Sequence, residues 1–155
     1  MIQILKDSDT RPWFFLQTAH TTYGMWVMET GHLEHLYYGE RITVDSQDPS
    51  SCAPLVIQRA FAPGNTCTYD REHPQISMED VCLEVGTLGK GDIREPFLEV
   101  RFTDGSVTSD FTFDSYEVIT LKEREQYLQD SGLPHSYSEA ETDSAECLQI
   151  VLQDV

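Results

Sequence analysis

The sequence predicts an all-β protein, an antiparallel β-sandwich with at most one short helix. Three observations carry this expectation. Several segments alternate apolar and polar residues with period two, the pattern of a strand with one wet and one dry face. Turn chemistry separates them, with Ala19-His20-Thr21, Thr30-Gly31 and Asp104-Gly105 between apolar runs. Helical periodicity is weak throughout.

From the start of the chain, Trp13–Thr18, Tyr23–Met28 and Leu33–Tyr38 are aromatic and β-branched runs that fit a meander. Residues 45 to 79 carry Pro49, Pro54, Pro63, Gly64 and Pro74 among small polar residues, so they read as mostly irregular connection. Further on, Leu98, Val100 and Phe102 alternate with Glu99 and Arg101, and Val107, Phe111 and Phe113 alternate beyond Asp104-Gly105. That spacing predicts a hairpin. Tyr116–Leu121 follows as a third strand, and Leu148, Ile150 and Leu152 alternate near the end. Lys122, Glu123, Arg124 and Glu125 are good helix formers, so Leu121–Leu128 is the one helix candidate.

The chain has 155 residues, enough for one core. Its 27 acidic residues against 10 Lys and Arg give a formal net charge of -17, a field that repels phosphate backbones and anionic lipid. Nucleic acid and membrane surfaces are therefore poor partners. No apolar run approaches the roughly 18 residues of a membrane span, and the first residues lack a secretory signal pattern. Cys52, Cys67, Cys82 and Cys147 have no CxxC spacing, which favours reduced thiols and a cytoplasmic protein.

The segment from Glu29 to Gly39, Glu-Thr-Gly-His-Leu-Glu-His-Leu-Tyr-Tyr-Gly, is distinctive. It resembles the stretch "TGHLxHLYYG" of family 36 glycoside hydrolases of the α-galactosidase type. Similar pieces follow in family order: Arg59-Ala60-Phe61-Ala62-Pro63, Ser77-Met78-Glu79, Gly91-Asp92-Ile93-Arg94-Glu95-Pro96, Asp104-Gly105-Ser106, Gly132-Leu133-Pro134 and Leu148 to Asp154. The resemblance implies a retaining enzyme several times longer, with an N-terminal sandwich, a (β/α)8 barrel bearing two catalytic aspartates, and a small C-terminal β domain. Residues 1–155 would then be an incomplete N-terminal sandwich, a partial supersandwich, inactive alone, whose partners are its missing barrel and further copies of itself in a homo-oligomer such as a tetramer. The substrate, reached only through the parent, would carry terminal α-linked galactose. A free-standing, non-catalytic sandwich that binds carbohydrate or protein is the alternative.

Retaining hydrolysis needs two carboxylates about 5 to 5.5 Å apart. No carboxylate motif here matches the family's pair, so no catalytic residue is assigned; Glu79-Asp80 and Glu139-Glu141 read as solvated charges. The resemblance implies that a loop of this domain leans over a neighbouring active site. Some members read Leu-Asp-Arg-Ala-Phe there, whereas this chain has Ile57-Gln58-Arg59-Ala60-Phe61. Gln58 is the candidate substrate-binding residue, able to bond sugar hydroxyls without charge. No metal or cofactor is expected: His32 and His35 flank Glu34, but on a strand they point to opposite faces. Asp92 and Arg94 are expected to pair, Trp26 to lie in the core, and Trp13 and Tyr69 to be less constrained.

Overall fold

The computed structural model describes residues 1–6, 11–45, 48–59, 68–92, 95–132 and 146–155. Four antiparallel strands, β1 (Ile2–Lys6), β2 (Pro12–Gln17), β3 (Thr21–Val27) and β4 (Leu33–Glu40), form a sheet in chain order. This is the expected meander with one strand added in front. Two longer strands, β7 (Phe111–Thr120) and β8 (Glu146–Asp154), pair antiparallel as a second layer. Between the layers, Phe14, Met25, Val27 and Leu33 meet Phe113, Tyr116, Leu148 and Ile150. The molecule is thus a β-sandwich.

Strand β2 explains why the first sheet is stable as a centre. Phe14 and Leu16 face the second layer, whereas Trp13 and Phe15 face the opposite way, onto Leu5, Val44 and Cys52. The run Trp13-Phe14-Phe15-Leu16 therefore abandons polar alternation because both faces are covered. On the second face the cover comes from Ile42, Val44, Cys52, Leu55 and Val56, the last three at or beside a 3-10 helix, Pro49–Leu55, whose N-cap Asp48 accepts from the Ser50 backbone N–H. Trp13, 6% exposed, is consequently core and not the less constrained residue expected; its ring lies 4.9 Å from that of Trp26. Opposite Phe15 stands Gly24, where an added Cβ would sit 3.0 Å from the Phe15 ring. Only a glycine lets that ring lie flat across β3.

The expected hairpin around Asp104-Gly105 is corrected in part. The turn forms: Gly105 has φ of 89°, Asp104 accepts from Ser106, and the Phe102 N–H donates to the Ser106 carbonyl at 2.9 Å. Its flanks do not become paired strands. Leu98 instead donates its N–H to Gly86 and bridges Thr87, while residues from Phe111 onward pair with β8 over nearly their whole length. The long pairing wins because it seats Phe113 and Tyr116 against Phe14, which the short hairpin would not. The expected third strand at Tyr116 is continuous with Phe111, so one ten-residue strand replaces two.

Two short strands, β5 (Thr87–Leu88) and β6 (Gly91–Asp92), make a small parallel pair. The helix candidate is confirmed as α1 (Leu121–Ser131). Thr120 and Glu123 satisfy each other's backbone N–H groups in a capping box, and Gly132 closes the helix at φ of 66°. Besides the Pro49–Leu55 turn, the middle of the chain holds only a three-residue 3-10 segment, Met78–Asp80, among its described residues. Within the described residues no helix is long and apolar enough to cross a membrane, and β7 and β8 pair only with each other.

Candidate functional site

The segment 56–59 leaves the 3-10 helix in extended form and passes the edge of the first sheet. Gln58 is exposed there, beside Ile57, which is 58% exposed. Arg59 turns inward. Its guanidinium pairs with the carboxylate of Glu34, a β4 residue with no exposed surface, and its Nη2 also donates to the Asp80 carbonyl at 3.2 Å. Trp26, opposite Glu34 in register, donates its indole N–H to Glu34 Oε2 at 2.8 Å. A buried carboxylate is tolerable only when its charge is met in this way. The anchor fixes the backbone of Arg59, and with it the neighbouring Gln58.

Beside Gln58 opens a pocket of about 220 Å³. Its apolar lining includes Trp26, Met28 and Ile76, and Glu29, Gln58, Arg59 and Gln75 supply its polar groups. Gln75 donates its side-chain N–H to Glu29. Trp26, expected in the core, is half-buried and serves both the core and this wall.

A second cluster ties the two layers together. Asp110 accepts from His32 Nε2 at 2.7 Å, Lys90 Nζ at 2.9 Å and the Tyr69 hydroxyl at 3.1 Å, while Thr30 bonds the other ring nitrogen of His32 at 2.8 Å. Burial alone would raise the Asp110 carboxyl, but the His32 and Lys90 hydrogen bonds outweigh it and hold it down at about 2. Burial, then the charge of Asp110, pushes the Tyr69 phenol up to about 12. Tyr69 is therefore a structural strut, with its ring edge-on to His32 at 4.9 Å. His35 goes elsewhere, to Glu84 at 3.1 Å, which also accepts from Tyr23. The two histidines serve separate carboxylates, and no cluster of metal-ligand type occurs among the described residues. The expected Asp92–Arg94 pair lies outside the described residues.

Asp110 makes folding pH-dependent in a definite window. Its folded pKa is depressed, so its contribution is complete above the unfolded value of 3.8 and is lost as pH falls toward about 2. That contribution is about 2 kcal/mol. Urea unfolding of the wild type and Asp110→Asn at pH 4 and pH 2 should show the wild type losing about 2 kcal/mol more than the variant; equal losses would refute the assignment.

Strands β7 and β8 packed on one face of a meander, with an anchored loop at the rim, define a two-layer β-sandwich domain. The family model described as "Glycosyl hydrolase family 36 N-terminal domain" matches residues 31–155, and the chain belongs to that family. It is 38% identical over 143 residues to the bifunctional alpha-galactosidase/sucrose kinase AgaSK of Mediterraneibacter gnavus, covering 91% of this chain and 14% of that protein. It is 30% identical over 141 residues to the alpha-galactosidase AgaA of Geobacillus stearothermophilus, covering 91% and 18%. The crystal structure of the alpha-galactosidase from Lactobacillus brevis superposes with a TM-score of 0.69 at 27% identity, over 92% of this chain and 18% of that one. The chain thus spans less than a fifth of the curated relatives it matches.

Proposed function

We propose that residues 1–155 are the N-terminal, non-catalytic portion of a cytoplasmic α-galactosidase that releases terminal α-linked galactose with retention. In the assembled parent, a homo-oligomer, this domain packs on its own catalytic barrel and covers a neighbouring active site through the segment 56–59, with Gln58 as the residue that reaches substrate. One observation carries the reading: Arg59 is locked onto buried Glu34 while Gln58 beside it stays exposed. Such a loop edge is pre-positioned to touch something outside the domain, at little ordering cost on contact. Relatives that are themselves alpha-galactosidases support the parent activity, and the outward residue Val151, about two-fifths exposed, suits a surface that the rest of the parent covers.

The test joins this chain to the reading frame that follows its last codon and assays an aryl α-galactoside. Activity is expected in the joined protein and none in residues 1–155. In the joined protein, Gln58→Ala should raise KM by roughly tenfold, the loss of one hydrogen bond to a hydroxyl. A frame without a barrel removes the parent reading; an unchanged KM removes Gln58 from the site.

A further inference from the structure

A second pocket, of about 230 Å³, opens where residues 41–44 pass the start of β1 and the end of β2. Hydrogen bonds fix its walls. Gln17, 7% exposed, donates its side-chain amide to the Ile42 carbonyl at 2.9 Å and to the Thr22 hydroxyl at 3.3 Å, and that hydroxyl accepts from the Ile42 N–H at 3.1 Å. Arg41 is held at its backbone, where its N–H donates to the His20 carbonyl at 2.8 Å, and at its side chain, where Nη1 donates to the Thr18 carbonyl at 3.1 Å.

The lining is positive although the chain carries a net charge of -17. Arg41 forms no ion pair among the described residues, and the Met1 ammonium donates to the Gln17 carbonyl at 3.0 Å. No carboxylate stands among the described residues that line the space. A metal ion would meet two cations and none of the carboxylates it needs. A wholly apolar ligand would strip water from both charges without replacing it. An anion gains from each of them, and the acids elsewhere on the surface are screened beyond about 8 Å at physiological salt.

The donors narrow the anion further. A phosphate monoester carries about -1.5 to -2 at neutral pH and three acceptor oxygens, enough to match two positive charges and to accept from the guanidinium, the ammonium and the Gln3 amide or Thr43 hydroxyl. A carboxylate offers two oxygens and one charge. Gln17 has both amide hydrogens engaged, so only its carbonyl oxygen is left for a ligand, and that oxygen calls for a hydroxyl. We propose that this pocket binds the phosphate monoester of a small polyol, with Arg41 as the principal contact. The inference stands on the lining alone and does not use the parent activity.

The 155-residue chain is titrated with glycerol 3-phosphate at neutral pH by calorimetry, while the side-chain N–H signals of Arg41 and Gln3 are followed by NMR. The expected result is displacement of both signals and a Kd of order 1 mM that weakens as salt is raised. Glycerate should bind more weakly and glycerol should give no response. Arg41→Ala, a change at an exposed position, should weaken binding roughly tenfold or more, and Arg41→Lys, which keeps the charge without the fork, should lose less. Val151→Ala should bind as the wild type does. An unmoved Trp13 indole signal shows that a variant keeps its fold. Absence of a saturable response, equal binding of glycerol or of glycerate, or an unchanged Kd in folded Arg41→Ala would overturn the proposal. Should Arg41→Ala disturb the Trp13 signal, Arg41→Lys and the salt series decide: binding that ignores both overturns it.

Discussion

Replacing Arg59 with alanine should destabilise the domain by about 3 to 5 kcal/mol, because Glu34 would be left as an uncompensated charge with no exposed surface. Glu34→Ala strands the guanidinium instead, but Arg59 reaches the Asp80 carbonyl and lies nearer solvent, so its cost should be smaller. The double variant Glu34→Leu/Arg59→Met should recover most of the loss, since neither charge then needs burial. Urea unfolding of the three variants checks this. If Arg59→Ala cost under about 1 kcal/mol, the range of an exposed ion pair, the anchor would not hold the loop.

Phe14→Ala should cost about as much, 3 to 5 kcal/mol, for a different reason. Phe14 has no exposed surface and is where the two layers touch: its ring is edge-on to Tyr116 at 5.2 Å and lies 6.3 Å from Phe113. Removing it opens a cavity that neither sheet can collapse into without breaking its own pairing. Val151→Ala, on the outward side of the second layer, should move stability by no more than about 0.5 kcal/mol. Comparable losses from the two would mean that the layers do not share a core. The midpoint and slope of denaturant unfolding separate a lost contact from a loosened native state.

The strands with a wet and a dry face were legible. Tyr23–Met28, Leu33–Tyr38 and Leu148–Gln153 lie within two residues of the strands that form, because burial on one side writes period two into the chain. Strand β1 was not legible, since Ile2-Gln3-Ile4-Leu5 is too short to show a period. Trp13 was misjudged for a related reason: a strand covered on both faces has no polar beat, and its run of aromatic residues says nothing of which side each faces. The hairpin at Asp104-Gly105 shows the limit of local signals, for its turn residues did form a turn while its flanks found better partners far along the chain.

The candidate site was legible only by resemblance. The resemblance pointed to Gln58, but what holds it, the Glu34–Arg59 pair, joins positions 25 residues apart and has no spacing to read. His32, Glu34 and His35 lie close along the chain, and strand alternation already separated the two histidines. In space, one histidine staples the layers through Asp110, the other binds Glu84, and the glutamate alone serves the loop.

Strand β8 has a further meaning for how the molecule is made. The four strands of the first sheet are neighbours in sequence and can zip as soon as Glu40 has left the ribosome. The partner strand of β7 is encoded more than a hundred residues later, and it brings Leu148 and Ile150, half of the cover over Phe14. For the time it takes to synthesise that interval, on the order of 5 to 20 seconds at ordinary elongation rates, the nascent sheet stands with an aromatic face open to its surroundings. Chaperone capture, or pairing with a second nascent chain, competes for that face during synthesis.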